Sequence, residues 1–198
     1  MDRNTQQRAV LLYGLLWKLI TPLVHLMLYI RAIRGKEDLA RLSERRGLEW
    51  QETRPDGWLV WLHAVSVGES IAARTLAEAL LSLRTDVTVL VTTNTLTAAS
   101  EIGKMFEIWH GRCLHSYQPL DHKKWVGRFL DYWRPNCAVF LESDFWPMLI
   151  TETHARDIPV LFASAQLSPR SYKNWQQRKP LAAAMFGCAR RIYCVDDA

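Results

Sequence analysis

A chain of 198 residues, 49% of them hydrophobic, can bury a real core and fits one domain with an appendage better than two very small domains. A net charge of +5 and a pI of about 9.2 allow an anionic partner without choosing among nucleic acid, a phospholipid surface and a phosphorylated substrate. Four cysteines, Cys113, Cys137, Cys188 and Cys194, show neither Cys-x-x-Cys spacing nor a paired histidine pattern, which argues against a zinc ribbon and a disulfide scaffold and for reduced thiols in a cytosolic compartment.

Residues 9–30, AVLLYGLLWKLITPLVHLMLYI, form an apolar segment of spanning length interrupted by Lys18, Pro22 and His25. Crossing the hydrocarbon core takes about 20 apolar residues. A lysine near the middle costs roughly 2.5–3.5 kcal/mol, which the surrounding aliphatic residues offset only in part. A spanning anchor and an interfacial helix both satisfy the segment, with a buried helix of a soluble bundle as the third reading. Arg31, Arg34, Lys36, Arg41, Arg45 and Arg46 follow it, against Arg3 and Arg8 before it, an asymmetry that leaves the rest of the chain in the cytoplasm. The long apolar run and the lack of a small-residue cleavage site speak against a cleaved signal peptide.

From residue 58 the pattern alternates. Strand-like runs occupy 58–63, 87–93, 137–142, 159–164 and 191–195, with a weaker one at 113–118, and helical spacing fills 69–83, 96–107, 122–133, 145–155 and 171–186. This predicts an α/β fold: a Rossmann-like parallel sheet with helices on both faces, in a domain of residues 36–198 behind an anchor and basic flank at 1–35. Trp125, Trp133 and Trp175 fall in predicted helices, as core or interfacial residues.

In such a sheet the loops leaving the carboxyl ends of the strands share one edge, where ligands bind. The stretches HAVSVGES, TTNTLTAAS, YQPLD, ESDFWP and SAQLSPRS all fall there, so Glu69, Thr92, Thr93, Asp121, Glu142, Asp144, Ser168 and Arg170 are expected to converge on one crevice, with Ser66 and Gly68 in the first loop. Carboxylates without a metal-ligand cluster suit proton transfer, and Glu69 and Glu142 are the candidates for a base. Each has a structural alternative. Glu69 complements the dipole of a helix capped by Ser66, and Glu142 fixes its loop by accepting backbone N–H groups. The fingerprints GxGxxG, GxxxxGK[ST] and GxSxG are absent, so a dinucleotide site, a P-loop and a nucleophile elbow have no support. His63 and His115, near strand ends, read as packed or loop-fixing side chains.

The ordered set HAVSVGE, VTTNTLTAASE, YQPLDHKKWVGRFLDYWRP, ESDFWPMLI and LSPRS, behind a hydrophobic N-terminal segment, resembles the amino-terminal half of 3-deoxy-D-manno-octulosonic acid (Kdo) transferases over essentially the whole chain. The resemblance implies the acceptor-side half of a GT-B glycosyltransferase on the cytoplasmic face of the inner membrane. Its reaction would be transfer of Kdo from CMP-Kdo to the lipid A precursor with inversion. No cofactor, metal or nucleic acid is called for. It assigns Glu69 as general base and Glu142 as a second carboxylate, with Ser66, Gly68, Thr92, Thr93, Asp121, Asp144, Ser168 and Arg170 as substrate-binding candidates. Arg170 and the basic flank offer cations to a bisphosphorylated glycolipid.

Ser164 and Gln166 stand where the family commonly carries Asn and Arg, and TLTA stands for TPTG. The chain ends just after the sixth strand, so the resemblance also implies that the donor-binding domain is absent and this half inactive alone. Two other readings are a silent membrane-attached module binding an anionic lipid or a partner glycosyltransferase, and a soluble nucleotide binder with its first helix buried.

Overall fold

The computed structural model describes residues 2–109, 111–141 and 145–195. Six strands, β1 (Trp58–His63), β2 (Val87–Thr93), β3 (Cys113–Tyr117), β4 (Cys137–Leu141), β5 (Val160–Ala165) and β6 (Ala189–Cys194), form one sheet in the order β3-β2-β1-β4-β5-β6. Every pairing is parallel. The near-continuous apolar runs explain this, because parallel strands are covered on both faces; β2 is buried at every position.

Alternate residues of β1 to β5 feed two cores. Leu59, Trp61, Ala138, Phe140, Val160 and Phe162 meet α4 (Lys123–Trp133), α5 (Pro147–His154) and α7 (Lys179–Phe186) through Phe129, Trp133, Leu149 and Met185. On the other face Leu62, Val89, Val91, Val139 and Leu141 meet α2 (Val67–Leu83) and α3 (Leu96–Trp109) through Ala73, Ala77, Leu81 and Ile102. The first two crossovers therefore lie on one face and the next three on the other, so the order turns over between β1 and β4.

The helix expected at 171–186 is two helices, α6 (Pro169–Gln177) and α7, separated at Arg178, whose φ of −117° and ψ of 38° leave the helical region. Pro180 explains the break. In a continuous helix it would lose a backbone hydrogen bond and clash with the preceding turn, whereas in the first turn of a new helix its missing N–H costs nothing.

The apolar N-terminal segment is α1 (Arg3–Ile33), started by Asp2, whose side chain accepts from the Asn4 N–H at 3.3 Å. It lies against α5 and α7, and its inner face buries Val24, Leu28 and Ala32. Two short 3-10 turns, Leu39–Arg41 and Glu44–Arg46, lead from it to β1. Gly47 follows at φ 60°, where a methyl group would run into the Trp125 carbonyl oxygen.

Candidate active site

The turnover between β1 and β4 is where an open α/β sheet forms a crevice. Its best described wall is the turn from β1 into α2. Ser66, extended at φ −96° and ψ 170°, caps α2 by accepting the Glu69 N–H at 3.2 Å. The Glu69 carboxylate reaches back to accept the N–H groups of Val65 and, at 3.4 Å, Ser66. This is a complete capping box. Glu69 is only 4% exposed, and its carboxylate is oriented by backbone donors just past the carboxyl end of β1, beside the point where the sheet order turns over. Ser66, Val67 and Gly68 are exposed around it. A methyl added at Gly68 would meet nothing nearer than Ser66 Oγ, at 3.9 Å, so the fold itself does not call for glycine there. Its effect is to leave the first turn of α2 open to approach.

Beneath the edge lies a buried polar layer. Thr92 is fully buried; its Oγ1 accepts from Trp61 Nε1 at 2.8 Å and lies 2.8 Å from His63 Nδ1. Thr93, equally buried, lies 2.9 Å from His115 Nε2. Arg41 Nη1, a donor only, is 2.9 Å from His115 Nδ1, so the neutral ring carries its hydrogen on Nε2 and donates it to Thr93. Burial, with nearby arginines adding to it, pulls both histidines down to a pKa of about 3 and keeps them neutral. Thr92 and Thr93 thus act from behind the crevice wall and not on its surface.

Asp121 is also fully buried. Its carboxylate accepts the Tyr13 hydroxyl at 2.7 Å and the N–H groups of Met148 and Leu149 at 3.1 and 2.8 Å. It caps α5 and ties α1 to the domain, a structural position rather than the surface contact the loop pattern led us to expect. Burial raises its pKa to about 6 against the lowering effect of these three bonds.

Ser168 and Arg170 are exposed at the end of β5. Ser168 caps α6, accepting the Ser171 N–H at 3.1 Å. Gln166, Leu167 and Tyr172 line a groove of about 690 Å³ there with Phe145, Ile192 and Val195. Ser164 holds φ at 53°, the left-handed region. Glu142 and Asp144 lie outside the described residues. Of the expected set, Ser66, Gly68, Ser168 and Arg170 come to the surface of the carboxyl edge, Glu69 stands at its rim, and Thr92, Thr93 and Asp121 support it from within. Among the described residues, no three His, Cys, Asp or Glu side chains come together to hold a metal.

A buried ion network behind this edge escaped the sequence reading. Arg45, 3% exposed, donates to Glu37 at 3.0 Å, to the Asn94 side chain at 2.7 Å and to the Gln118 carbonyl at 3.2 Å. Arg41 grips Glu44 through two bonds of 2.7 and 2.9 Å, and Glu44 accepts the Tyr117 N–H at 2.7 Å. Both guanidiniums lie over the Tyr117 ring. Arg31 pairs with Glu37 at 2.7 Å. Arg41 and Arg45 are therefore committed to the fold and not offered to a glycolipid, whereas Arg31 stays partly exposed beside its pair; the interleaved acids Glu37 and Glu44 were the available signal.

Residues 40–198 match the family model described as 3-deoxy-D-manno-octulosonic-acid transferase (kdotransferase). The chain is 36% identical over 164 residues to a protein of Arabidopsis thaliana named probable 3-deoxy-D-manno-octulosonic acid transferase, mitochondrial, across 83% of this chain and 36% of that protein. It is 32% identical to the 3-deoxy-D-manno-octulosonic acid transferase of Rickettsia bellii (85% of this chain, 39% of the relative) and 30% identical to that of Haemophilus influenzae (93% and 43%). The chain thus spans between 36% and 43% of the length of these relatives.

Proposed function

The chain belongs to the Kdo transferase family, and from that premise we propose that it is the acceptor-side half of an inverting GT-B glycosyltransferase that moves Kdo from CMP-Kdo to the lipid A precursor at the cytoplasmic face of the inner membrane. The observation that carries the reading is Glu69: a carboxylate fixed by backbone N–H groups where the sheet order turns over, beside an open helix N-terminus. A general base must be held within hydrogen-bond reach of the proton it takes. Glu69 would deprotonate the acceptor hydroxyl as that oxygen attacks the anomeric carbon and the C–O bond to CMP breaks. Glu142 would support it as a second carboxylate. α3, α4 and α6 also start at this edge, and their positive ends favour an anionic ligand. Arg170 adds an exposed cation. The donor is assigned to a partner domain, without which this half is inactive.

The capping box also favours a second reading, in which Glu69 is only structural and the domain is a silent binding module. Glu69→Gln separates the two, because glutamine at this position keeps the box while removing the base. With a donor-side half supplied by a relative, the base reading expects transfer to fall by about 10²-fold or more, with thermal stability and acceptor binding retained. Undiminished transfer by the variant would end the assignment. Binding of the chain to bisphosphorylated lipid A precursor, with its dephosphorylated form and CMP as controls, tests the acceptor side; preference for CMP would reverse the assignment of halves.

A further inference from the structure

α1 is apolar on both sides, and its two sides have different surroundings. The inner side is held by the domain along most of its length: Tyr13 bonds to Asp121, Gly14 faces Met148, His25 stacks on Trp125 at 5.5 Å between ring centroids, and Val24, Leu28 and Ala32 are buried. The outer side carries Leu12, Leu16, Leu19, Leu23, Leu26 and Ile33, spaced as one helical face and more than half exposed. From residue 11 to residue 33 that face holds no charged side chain, and α1 contains no acid at all.

We infer that α1 lies in the plane of an anionic bilayer with this outer face submerged, instead of crossing it. The inference deepens the membrane reading made above and does not depend on the transfer reaction. The docked stretch from Tyr13 to Ala32 is about 30 Å long at 1.5 Å per residue, the thickness of the hydrocarbon core. Were α1 to cross, α4 and α5 would enter the hydrocarbon beside it, carrying the exposed charges of Lys123 (61% exposed) and Asp131 (67%). Lying flat, the helix keeps its protein contacts on one side and gives its outer face to acyl chains.

The rim identifies the surface as anionic. Arg8 stands one turn before Leu12, Arg34 and Lys36 follow Ile33, and Lys18 of α1 and Lys124 of α4 both stand near enough to His122 to act on it. Arg8, Lys18, Arg34, Lys36 and Lys124 are all exposed. Such juxtamembrane cations are attracted to acidic headgroups.

The test uses the full chain with one epitope before Met1 and another after Ala198, added to phosphatidylglycerol-containing vesicles and treated with external protease. A flat helix leaves both epitopes open to digestion; a crossing helix in either orientation protects one of them. Leu19→Glu with Leu23→Glu is expected to weaken vesicle binding at least about tenfold, by removing apolar insertion, with the melting temperature unchanged. Arg34→Gln and Lys36→Gln are each expected to weaken it about fivefold on anionic vesicles and not on neutral ones. One protected epitope would overturn the in-plane geometry alone. Failure of the native chain to bind vesicles, or a concentration-dependent dimer that hides the leucine face, would overturn membrane attachment as well.

Discussion

Tyr13, on the apolar N-terminal helix, donates its hydroxyl to Asp121 at 2.7 Å, joining α1 to the loop between β3 and α4 across 108 residues of sequence. The same carboxylate accepts the first N–H groups of α5. One buried acid therefore holds three elements, and α1 is packed against the domain that follows it.

Tyr13→Phe is expected to cost about 1.5–3 kcal/mol, the range for a hydrogen bond to a charged group. Asp121→Ala should cost more, because it strands the Met148 and Leu149 N–H groups together with the Tyr13 hydroxyl. Urea unfolding in mild detergent measures both, and two variants as stable as the native chain would show that the link does not hold α1.

Acid should weaken the fold below a pH of about 6.5. His63 and His115 have folded pKa values near 3 against an ordinary 6.5, so their contribution is complete above about 6.5 and is lost as the pH falls and the unfolded chain takes up protons. Asp121 runs the other way. Its folded value is raised to about 6, so its protonated form favours the native state at low pH and that contribution is lost as the pH rises through 6. Two histidines outweigh one carboxylate. Unfolding midpoints should therefore drop between neutral pH and about pH 5, and more steeply in Asp121→Asn.

Gly68→Ala should separate stability from function. The added methyl fits without contact closer than 3.9 Å and raises helix propensity by about 0.5–1 kcal/mol, yet it narrows the approach to Glu69. We expect a higher melting temperature together with weaker acceptor binding; unchanged binding would remove this turn from the site.

Arg45→Ala leaves Glu37 short of a buried partner and releases Asn94, so a loss of about 3–5 kcal/mol is expected. Hydrogen exchange should accelerate at residues 94 and 95, at the head of α3, before it does so elsewhere in the sheet.

Ser164 holds a left-handed backbone, which costs a residue with a Cβ about 1–2 kcal/mol and asparagine less. Ser164→Asn, which places a residue that tolerates this backbone better, should raise stability by up to about 1 kcal/mol, read as a shift in thermal midpoint.

The amino-acid sequence by itself determined the strands and their order of use. The bounds of β1 and β2 are those expected from their apolar runs, because strand periodicity and turn signals are properties of neighbouring residues. The Ser66 cap of α2 was legible for the same reason, its partner N–H lying three residues on, while the return bond from the Glu69 carboxylate that completes the box came only with the structure. The break at Arg178 had its sign in Pro180, which the wider helical spacing concealed.

Tertiary structure alone decided what distant partners decide. Arg45 meets Asn94 across 49 residues, so composition read it as a free basic flank when folding made it a buried strut. Asp121, Thr92 and Thr93 sit at strand ends as expected, but only packing shows that they face inward. α1 carries apolar residues on both sides, so hydrophobic spacing alone does not mark which side meets protein. That side is chosen by Asp121, Met148 and Trp125, residues brought to it by the fold of the rest of the chain.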